Sequence, residues 1–447
     1  MTKKIAIIGG GISGLTAAYL LNPHYDIWLF EKDNRLGGNA YTYNTSDGET
    51  IDMAVAAYQR LVSGNFLKLL SELKIKTVIQ PASVFLTVHD LKTKQGLYST
   101  PFNLKGLIAQ KFAFFREPAA SDSQMTIKAV REAINMLSEG ELRGLSVAET
   151  IALLPDLTDF RISIMLSPLC LLSSMYYDEI MKAPAEFFFG KLESFHSFGP
   201  KEMVFGLKFP KKFTRSYVEA LSSHFTDKVV LNARINSVAR NKNDVILKME
   251  DGSQAQFNKV VFACNADQAL ALLENPTEKE QRLLGAWKYK EGLMVVHKDK
   301  THFPKRELCQ SWTCLRSTEN GVHHFSISCC CWRLCPGTSN KSEYFSTQHP
   351  NFPIKEDLID FKRVFRTPIF DFDSVPTIKD LPSLNGQLNS YYCGSHIGYG
   401  LHNDAVSSAM EVAKALGVQW PHYESPPYWR RLEIQQLPQE LLLNQVA

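Results

Sequence analysis

Short apolar runs separated by turns dominate the first thirty residues of the chain. Residues 4–8 (Lys-Ile-Ala-Ile-Ile) are apolar after the lysine and rich in β-branched side chains, which is typical of a buried parallel strand. A glycine turn follows, and residues 15–21 continue as a helix-like segment. A second apolar run at residues 27–30 ends in Glu31. This order of strand, turn, helix and strand predicts a βαβ unit at the start of the chain.

The turn after the first strand carries glycines in the spacing Gly-x-Gly-x-x-Gly. Gly9 permits the tight turn, Gly11 lets backbone approach a pyrophosphate, and Gly14 lets the helix pack closely on the strand. The helix N-terminus offers N–H groups to phosphates, and Glu31 can accept both hydroxyls of an adenosine ribose. A 2′-phosphate would be repelled by Glu31, so the pattern disfavours NADP. The pattern predicts a dinucleotide site, and the alternative is an ordinary βαβ turn without a ligand.

The pattern changes further along the chain. Residues 65–73 have helical periodicity, and residues 102–195 are mostly helical. Residues 268–381 alternate strand-like runs with loops, which predicts a mixed sheet. Residues 162–177 are the most apolar later run, but Pro168 interrupts them and they are short for a membrane span. We therefore predict a buried helix pair there and no transmembrane segment.

Two later segments return to the α/β pattern. A helix at residues 217–225 and a strand at 229–231 lead through a hairpin to an apolar strand at 260–264. A strand at residues 390–393 is followed by a glycine-rich turn and by a helix at 406–416. Strand, glycine turn and helix again present backbone N–H groups to an anion.

Composition narrows the functional classes. A chain of 447 residues predicts two or three domains, and a formal net charge of +3 gives no sign of the basic surface that nucleic acid binding requires. The nine cysteines include no Cys-x-x-Cys pair, and the three consecutive ones at 329–331 would alternate between the two faces of a strand. Because that geometry is poor for a tetrahedral zinc site, we predict no metal and reduced thiols, which favours a cytoplasmic location.

Residues 31–38 (Glu-Lys-Asp-Asn-Arg-Leu-Gly-Gly) resemble the extended fingerprint of the flavoprotein superfamily that holds amine oxidases and phytoene-desaturase-like enzymes. The segment near Ile235 and the stretch at residues 390–405 are similar to the second and third FAD motifs of that superfamily. Residues 263–270 and 393–400 are similar to segments of a bacterial group within that superfamily, the amine-oxidase-like NAD/FAD-binding proteins. Some members of that bacterial group are associated with lipid metabolism, including oxidation of methylated fatty acyl chains.

The resemblance implies FAD as the cofactor and a set of residues that contact it. We predict that the flavin is not covalently attached, because Cys393 belongs to the strand before the turn. The sequence departs from the family pattern at Ala54, Ala405 and Ser408, where glycine is usual. It also departs at residues 212–215, where relatives carry Gly-Gly before a helix. The implied cofactor-binding residues are Gly9, Gly11, Ile12, Ser13, Gly14, Glu31, Lys32, Arg35, Gly37, Gly38, Asn39, Ile235, Ala263, Gly394, Asp404 and Ala405.

The resemblance also implies an α/β fold with a Rossmann-like FAD-binding domain, a mixed-sheet substrate domain and a helical insertion. The FAD-binding domain is expected to be discontinuous in sequence. The expected ranges are 1–60, 200–267 and 385–420 for the FAD-binding domain, 61–101 and 268–384 for the substrate domain, 102–199 for the helical subdomain and 421–447 for a carboxyl-terminal tail.

The implied activity is that of an FAD-dependent oxidoreductase that transfers a hydride to the flavin from a hydrophobic substrate, with an acyl lipid as the first interpretation. The alternatives are a flavin amine oxidase that yields imine and H2O2, and a non-catalytic flavin-binding protein. The aromatic residues 187–189 suit an acyl chain, although core packing is the commoner role of such rings. The basic residues between 208 and 215 form a solvated face or, as the alternative, a peripheral contact with an anionic membrane surface. These residues are Lys208, Lys211, Lys212 and Arg215.

The sequence offers candidates for a catalytic role without fixing one. His396 and His402 flank the last glycine turn, where either could act as acid or base, or have a structural role. Tyr399 is a candidate by position for holding an amine. Many amine oxidases place a lysine near the flavin N5, and the counterparts here, Lys288 and Lys290, lie in no convincing motif, which favours a lipid substrate. The partner expected is a small-molecule or lipid substrate, and the sequence assigns no oligomeric state.

Overall fold

The computed structural model describes most of the chain as layered sheets and helices. The residues described are 3–54, 58–59, 63–79, 86–94, 96–98, 119–196, 207–319, 322–335, 337–339, 341–426 and 429. The strands are β1 (Lys4–Ile8), β2 (Asp26–Phe30), β3 (Tyr41–Asn44), β4 (Thr50–Ala54), β5 (Tyr58–Gln59), β6 (Thr77–Ile79), β7 (Leu86–Asp90), β8 (Gly96–Tyr98), β9 (Leu207–Pro210), β10 (Val229–Val230), β11 (Ile235–Arg240), β12 (Val245–Met249), β13 (Gln254–Phe257), β14 (Lys259–Phe262), β15 (Lys288–His297), β16 (Trp312–Glu319), β17 (Val322–Cys330), β18 (Phe345–Gln348), β19 (Ile359–Ile369) and β20 (Ser390–Tyr392).

Helices connect and cover these strands. The α-helices are α1 (Ile12–Leu21), α2 (Gly64–Glu72), α3 (Ala119–Glu139), α4 (Val147–Leu153), α5 (Asp159–Ser173), α6 (Tyr177–Met181), α7 (Ala185–His196), α8 (Arg215–Ser222), α9 (Ala266–Leu272), α10 (Glu278–Gly285), α11 (Cys331–Leu334) and α12 (His402–Ala415).

A five-stranded parallel sheet in the order β10-β2-β1-β14-β20 carries the candidate site at its carboxyl edge. Ile5 and Ile7 of β1 belong to the core shared with α1 and α12, whereas Ala6 and Ile8 face the opposite side. Both faces are therefore buried, which explains why the strand reads as a continuous apolar run. The antiparallel strands β11, β12 and β13 form a separate small sheet. The predicted Rossmann-like α/β fold is confirmed.

A second, seven-stranded sheet has the order β19-β15-β18-β17-β16-β7-β8. Its neighbours are antiparallel except for β16 and β7, so the predicted mixed sheet is confirmed. Helices of the region 119–196 pack on it, and the ring of Tyr177 in α6 meets that of Phe325 in β17 at 4.9 Å. Residues 102–118 and 197–206, which belong to or adjoin the expected helical subdomain, lie outside the described residues.

The predicted helix pair at residues 162–177 is wrong, because α5 runs through Pro168 without a break. Proline cannot donate to the carbonyl of the residue four positions earlier, which is Ile164. The hydroxyl of Ser167 donates to that carbonyl instead, at 3.2 Å. None of the helices within the described ranges combines the length and the apolar composition that crossing a membrane requires.

The three consecutive cysteines do not share one strand, contrary to the prediction. β17 ends at Cys330, and Cys331 begins the short helix α11. All nine cysteines of the chain lie in the described residues as free thiols. Within those residues, no three histidine, cysteine or acidic side chains converge in a way that could hold a metal ion.

Candidate cofactor and active site

The three motif glycines have different surroundings. Gly9 has a φ of +113°, and a Cβ on it would lie 2.7 Å from the carbonyl oxygen of Ala263. A Cβ on Gly14 would lie 1.9 Å from the carbonyl oxygen of Gly9. The packing of the protein itself therefore requires glycine at both positions. A Cβ on Gly11 would meet no described atom within 4 Å, so open space lies where the motif predicts a pyrophosphate.

The N-terminus of α1 faces this open space. The helix has 10 residues, its N-cap is Gly11, and among the described residues no side chain caps it and no carboxylate lies in its first turn. Ile12 is buried, and the hydroxyl of Ser13 donates to the carbonyl of Ala263 at 3.5 Å. The first N–H groups of the helix and its dipole thus remain available to a diphosphate.

The carboxylate of Glu31 is fixed at the end of β2. Its Oε2 accepts a hydrogen bond from the backbone N–H of Gly10 at 2.6 Å, and its Oε1 accepts one from that of Asp33 at 2.9 Å. Each oxygen keeps further acceptor capacity, which two ribose hydroxyls can use. The backbone continues toward the predicted adenine side, where Ala233 donates to the carbonyl of Glu31 at 2.8 Å and Ile235 begins β11.

Arg35 organises the loop that follows Glu31. Its guanidinium donates to the carbonyls of Leu36 at 2.9 Å and Gly38 at 2.5 Å, and it lies over the ring of Tyr41. Burial and the neighbouring Arg363 lower the pKa of Arg35 to about 10. The arginine therefore shapes the loop through its carbonyls.

The same loop packs directly on the glycine turn. The N–H of Gly37 donates to the carbonyl of Gly10 at 2.8 Å, and a Cβ on Gly38 would lie 3.1 Å from the Cα of Gly11. Lys32 and Asn39, two further residues that the resemblance implies, are exposed on this side of the molecule. The glycine turn at residues 9–14 and the loop at residues 31–38 thus form one continuous surface of the candidate cofactor site.

The carboxyl-terminal turn supplies a second helix start. Gly394, implied by the resemblance, is bonded to Ser408 of α12: the serine Oγ accepts from the N–H of Gly394 at 3.0 Å and donates to its carbonyl at 3.2 Å. Serine in place of the usual glycine therefore ties the turn to the helix. Ala405, the other departure on this helix, is buried in the core that α12 shares with α1.

Asp404 lies in the first turn of α12 and is fully buried. Its Oδ2 accepts from the N–H of Leu401 at 2.8 Å, and its Oδ1 accepts from the indole N–H of Trp429 at 2.7 Å. The preceding glycines Gly398 and Gly400 have φ of +146° and +79°. Asp404, which the resemblance implies as a cofactor-binding residue, is thus hydrogen-bonded both to the start of its own helix and to the carboxyl-terminal tail.

The two candidate histidines have unequal surroundings. His396 is buried against Trp287, its Nε2 has no hydrogen-bond partner among the described residues, and burial lowers its pKa to about 4. His402 is hydrogen-bonded through Nε2 to the hydroxyl of Tyr217 at 3.0 Å, and burial lowers its pKa to about 3. Both imidazoles are therefore neutral at pH 7, and the Nε2 of His396, unlike that of His402, has no hydrogen-bond partner among the described residues.

The other two candidates, Tyr399 and Lys290, contact different residues. Tyr399 is fully buried with its ring 5.0 Å from that of Phe187, and burial raises the pKa of its hydroxyl. Lys290 on β15 forms an ion pair with Glu179 of α6 and lies 3.6 Å from the ring centre of Tyr176. Burial lowers the pKa of Lys290.

A fully buried lysine that was not among the predicted candidates lies beside the turn. Lys191 of α7 donates to the carbonyls of Leu172 at 2.9 Å and Tyr399 at 2.8 Å. Burial lowers the pKa of Lys191 to about 7. The available signal was its place in the run Phe-Phe-Phe-Gly-Lys-Leu, since a charge inside an apolar helix needs partners.

A buried carboxylate was also missed. Asp52 of β4 accepts hydrogen bonds from the hydroxyl of Thr42 at 2.6 Å and from the N–H and hydroxyl of Thr214 at 3.0 Å and 2.9 Å. Burial raises its pKa to about 6. Asp52 thereby joins β4, which ends at Ala54, to the residue that precedes α8.

The sequence and the fold both resemble those of known proteins. The family model described as flavin containing amine oxidoreductase matches residues 12–344. Coproporphyrinogen III oxidase of Staphylococcus aureus is 44% identical over 61 residues, which are 13% of this chain and 13% of that protein. The match thus spans a small part of that relative's length.

Solved structures show the same fold over nearly the whole chain. Wild-type putrescine oxidase bound to putrescine superposes with a TM-score of 0.67 at 12% identity, over 94% of this chain and 99% of that chain. The CLA-producing fatty acid isomerase from P. acnes superposes with a TM-score of 0.62 at 14% identity, over 92% and 98%.

Proposed function

The chain belongs to the flavin-containing amine oxidoreductase family and is an FAD-dependent oxidoreductase, and we propose that its substrate is hydrophobic, an acyl lipid from which it removes a hydride. The observation that carries this proposal is a continuous set of buried aromatic rings that reaches the carboxyl-terminal turn. The open space at Gly11, the uncapped helix start and the fixed Glu31 fit the diphosphate and ribose of FAD.

The aromatic rings connect the helical region with the turn. The ring of Phe187 in α7 stacks on that of Phe370 at 4.8 Å, and Trp287 contacts Phe370 at 5.6 Å and His396 at 5.3 Å. The ring of Tyr399 also contacts that of Phe187, at 5.0 Å between ring centres. Such surroundings favour an apolar chain over a charged group, because a buried charge without a partner is costly.

The two lysines considered as counterparts of the amine oxidase lysine, Lys288 and Lys290, are both engaged in ion pairs. Lys288 forms ion pairs of 2.9 Å with both Asp371 and Asp373, and Lys290 is paired with Glu179. Neither presents a free ammonium of the kind that many amine oxidases hold near the flavin. This pairing supports a substrate other than an amine.

An exposed basic cluster suits the head of an anionic lipid. Lys211, Lys212 and Arg215 are exposed at the start of α8, and Lys208 is half-buried on the adjoining strand β9. Positive side chains at a surface attract anionic lipid headgroups. The solved isomerase with the same fold is described as acting on a fatty acid.

The residues of this chain would bind and orient the substrate and move a proton. When bound, FAD supplies the acceptor for a hydride. The Nε2 of His396 has no hydrogen-bond partner among the described residues, so we infer that this nitrogen accepts the proton from the substrate carbon next to the one that gives the hydride, as a double bond forms between the two carbons. The surrounding aromatic rings exclude water from that step.

The decisive experiment follows the visible flavin absorbance of the purified holoprotein without air. We expect vesicles of oleoyl phosphatidylglycerol to bleach the flavin, and putrescine and cyclohexylamine to leave it oxidised. Bleaching by the amines alone would identify an amine oxidase. A flavin that none of the compounds reduces would favour a binding role. Lipid that co-purifies with the protein, identified by mass spectrometry, is expected to carry the acyl chain oxidised in the assay.

A pair of histidine variants tests the proton acceptor. In His396→Gln we expect the rate of anaerobic flavin reduction to fall about a hundredfold or more, because a general base is lost. His402→Gln is the matched control, since His402 is bonded to Tyr217 in a separate aromatic cluster. Equal rates in the two variants would remove His396 from the mechanism.

A further inference from the structure

The carboxyl-terminal tail follows a defined path along α2 before it returns to the cofactor-facing turn. The indole N–H of Trp420 donates to Oε2 of Glu72 at 2.5 Å. The side chain of Asn65 bonds both backbone groups of Glu424, donating to its carbonyl at 2.7 Å and accepting from its N–H at 3.1 Å. The same amide donates to the hydroxyl of Ser407 at 2.8 Å, which connects the tail and α2 to α12.

The tail then places Trp429 against the first turn of α12. The backbone N–H of Trp429 donates to the carbonyl of Pro426 at 2.9 Å, and its indole N–H donates to Oδ1 of Asp404 at 2.7 Å. A Cβ on Gly398 would lie 2.8 Å from the indole nitrogen and 2.3 Å from that carboxylate oxygen. Gly398 therefore lacks a side chain where Trp429 and Asp404 meet.

We propose that Trp429 is a positioning residue of the cofactor site, through which the tail closes over the turn at residues 398–404 and slows the release of FAD. Asp404 lies at a helix start that the family turns toward the cofactor, and a loose carboxylate there competes with a diphosphate for the same N–H groups. The indole N–H and the N–H of Leu401 each hold one of its oxygens. This inference rests on FAD binding and is independent of whether the substrate is an acyl lipid.

The first test measures the rate of FAD release from the holoprotein, by the rise in flavin fluorescence after dilution. Trp429→Phe keeps an aromatic ring and removes the N–H, and we expect release to become about tenfold faster, as for the loss of one hydrogen bond to a charged group. Trp420→Phe is the matched control, because it removes the same kind of indole–carboxylate bond from the same tail at Glu72. Its release rate is expected to stay within about twofold of the wild type, because the Asn65–Glu424 bonds remain.

Two outcomes of this test overturn the proposal. Equal release rates in Trp429→Phe and the wild type would show that the indole bond does not retain the cofactor. Slower release in Trp429→Phe would show that the indole occupies space that FAD needs. A wild-type protein that binds no FAD would instead contradict the family assignment, so the two failures are distinguishable.

The second test uses the unaltered protein and so does not depend on the folding of a variant. Arg430 and Arg431 directly follow Trp429 in the sequence and provide trypsin cleavage sites there. If the tail closes over FAD, the cofactor and the closed tail stabilise each other, and FAD slows cleavage at these sites. Cleavage at Lys242, in an exposed hairpin turn, serves as the internal control and is expected to be the same with and without FAD. Equal cleavage beyond Trp429 in both states would contradict closure.

Discussion

Gly11 and Gly14 belong to the same motif, yet a methyl group added to each would meet opposite surroundings. Gly11→Ala places its Cβ in open space at a backbone with φ of −72°, whereas Gly14→Ala drives it to 1.9 Å from a carbonyl oxygen. We expect Gly11→Ala to change the free energy of unfolding of the apoprotein by less than about 1 kcal/mol. Gly14→Ala is expected to lower it by about 3 kcal/mol.

The effect of Gly11→Ala on FAD affinity is expected to be large although its effect on stability is small. A methyl at Gly11 lies where the diphosphate approaches the backbone, so Gly11→Ala should lose FAD binding although it folds. Urea unfolding of the apoprotein and FAD titration followed by flavin fluorescence measure the two effects. A Gly11→Ala protein that binds FAD as the wild type does would place the diphosphate elsewhere.

Single residues were predictable from sequence where their partners are local in the chain. The glycine spacing and Glu31 belong to one βαβ unit, so their roles follow from a short stretch. Ser408 and Lys191 were not predictable in this way. The partner of Ser408 is Gly394, on the other side of a turn, and the partners of Lys191 are the carbonyls of Leu172 and Tyr399. Only the folded chain brings those groups together.

At the scale of elements, the start of α8 shows how the chain replaces the Gly-Gly of its relatives. Phe213 there has a φ of +64°, a conformation that glycine adopts more easily. Its ring packs against Gly337, where a Cβ would lie 2.5 Å from the ring. The next residue, Thr214, is bonded to Asp52 of β4. The packing of the Phe213 ring and the hydrogen bonds from Thr214 to Asp52 therefore stabilise the backbone at the position where relatives carry Gly-Gly.

Asp52 makes this junction sensitive to pH. Burial raises its pKa to about 6 in the folded protein from the ordinary value of 3.8, so the folded state favours the protonated carboxyl. The stabilisation that protonation brings is complete below the unfolded pKa and is lost as the pH rises through about 6. Between pH 4 and pH 7, the free energy of unfolding of the wild type should fall by about 2 kcal/mol relative to Asp52→Asn.

Urea unfolding of the two apoproteins at each pH measures this difference, and the contributions of all other groups cancel in it. A difference that stays constant between pH 4 and pH 7 would show that Asp52 does not titrate in this range. The comparison uses apoprotein, so changes in FAD affinity do not enter.

Element boundaries were less predictable than element types. Pro168 was expected to break a helix, because proline removes a backbone donor, yet the hydroxyl of Ser167 serves the carbonyl of Ile164 and α5 continues. The run of three cysteines was assigned to one strand, but β17 ends at Cys330. Both errors have the same origin. The local sequence pattern indicates which conformation a segment prefers, but a single side-chain contact or a neighbouring strand decides at which residue the helix or strand ends.

At the scale of the whole molecule, one buried ion pair joins the small antiparallel sheet to the parallel sheet. Arg240 of β11 and Glu280 of α10 are 2.5 Å apart, with side chains 2% and 1% exposed, and the hydroxyl of Tyr392 in β20 donates to Glu280 at 2.6 Å. Burial raises the pKa of Glu280, but the hydrogen bonds from Arg240 and Tyr392 outweigh burial and lower it to about 2. The pair is therefore ionised at pH 7.

Breaking this pair should destabilise the protein strongly. We expect Glu280→Gln to lower the free energy of unfolding by about 3 to 5 kcal/mol, because it leaves the guanidinium of Arg240 buried without its counter-charge. The double variant Arg240→Met with Glu280→Met should recover part of that loss. Glu274→Gln is the matched control, since Glu274 pairs with Lys248 of the same small sheet and both side chains are partly exposed. Its effect is expected to be below about 1 kcal/mol in urea unfolding.

The strands of the parallel sheet are far apart in the sequence, which delays the completion of the sheet during synthesis on the ribosome. Its second strand ends at Phe30, but its edge neighbour β10 begins at Val229, and its last strand begins only at Ser390. At elongation rates of about 5 to 20 residues per second, the ribosome needs roughly 10 to 40 s to deliver β10 after β2. Throughout that time the nascent glycine turn lacks β14, whose end carries Ala263. Polypeptides released early therefore lack strands that the candidate FAD site needs, and we expect their unpaired strand edges to be prone to aggregation until synthesis is nearly finished.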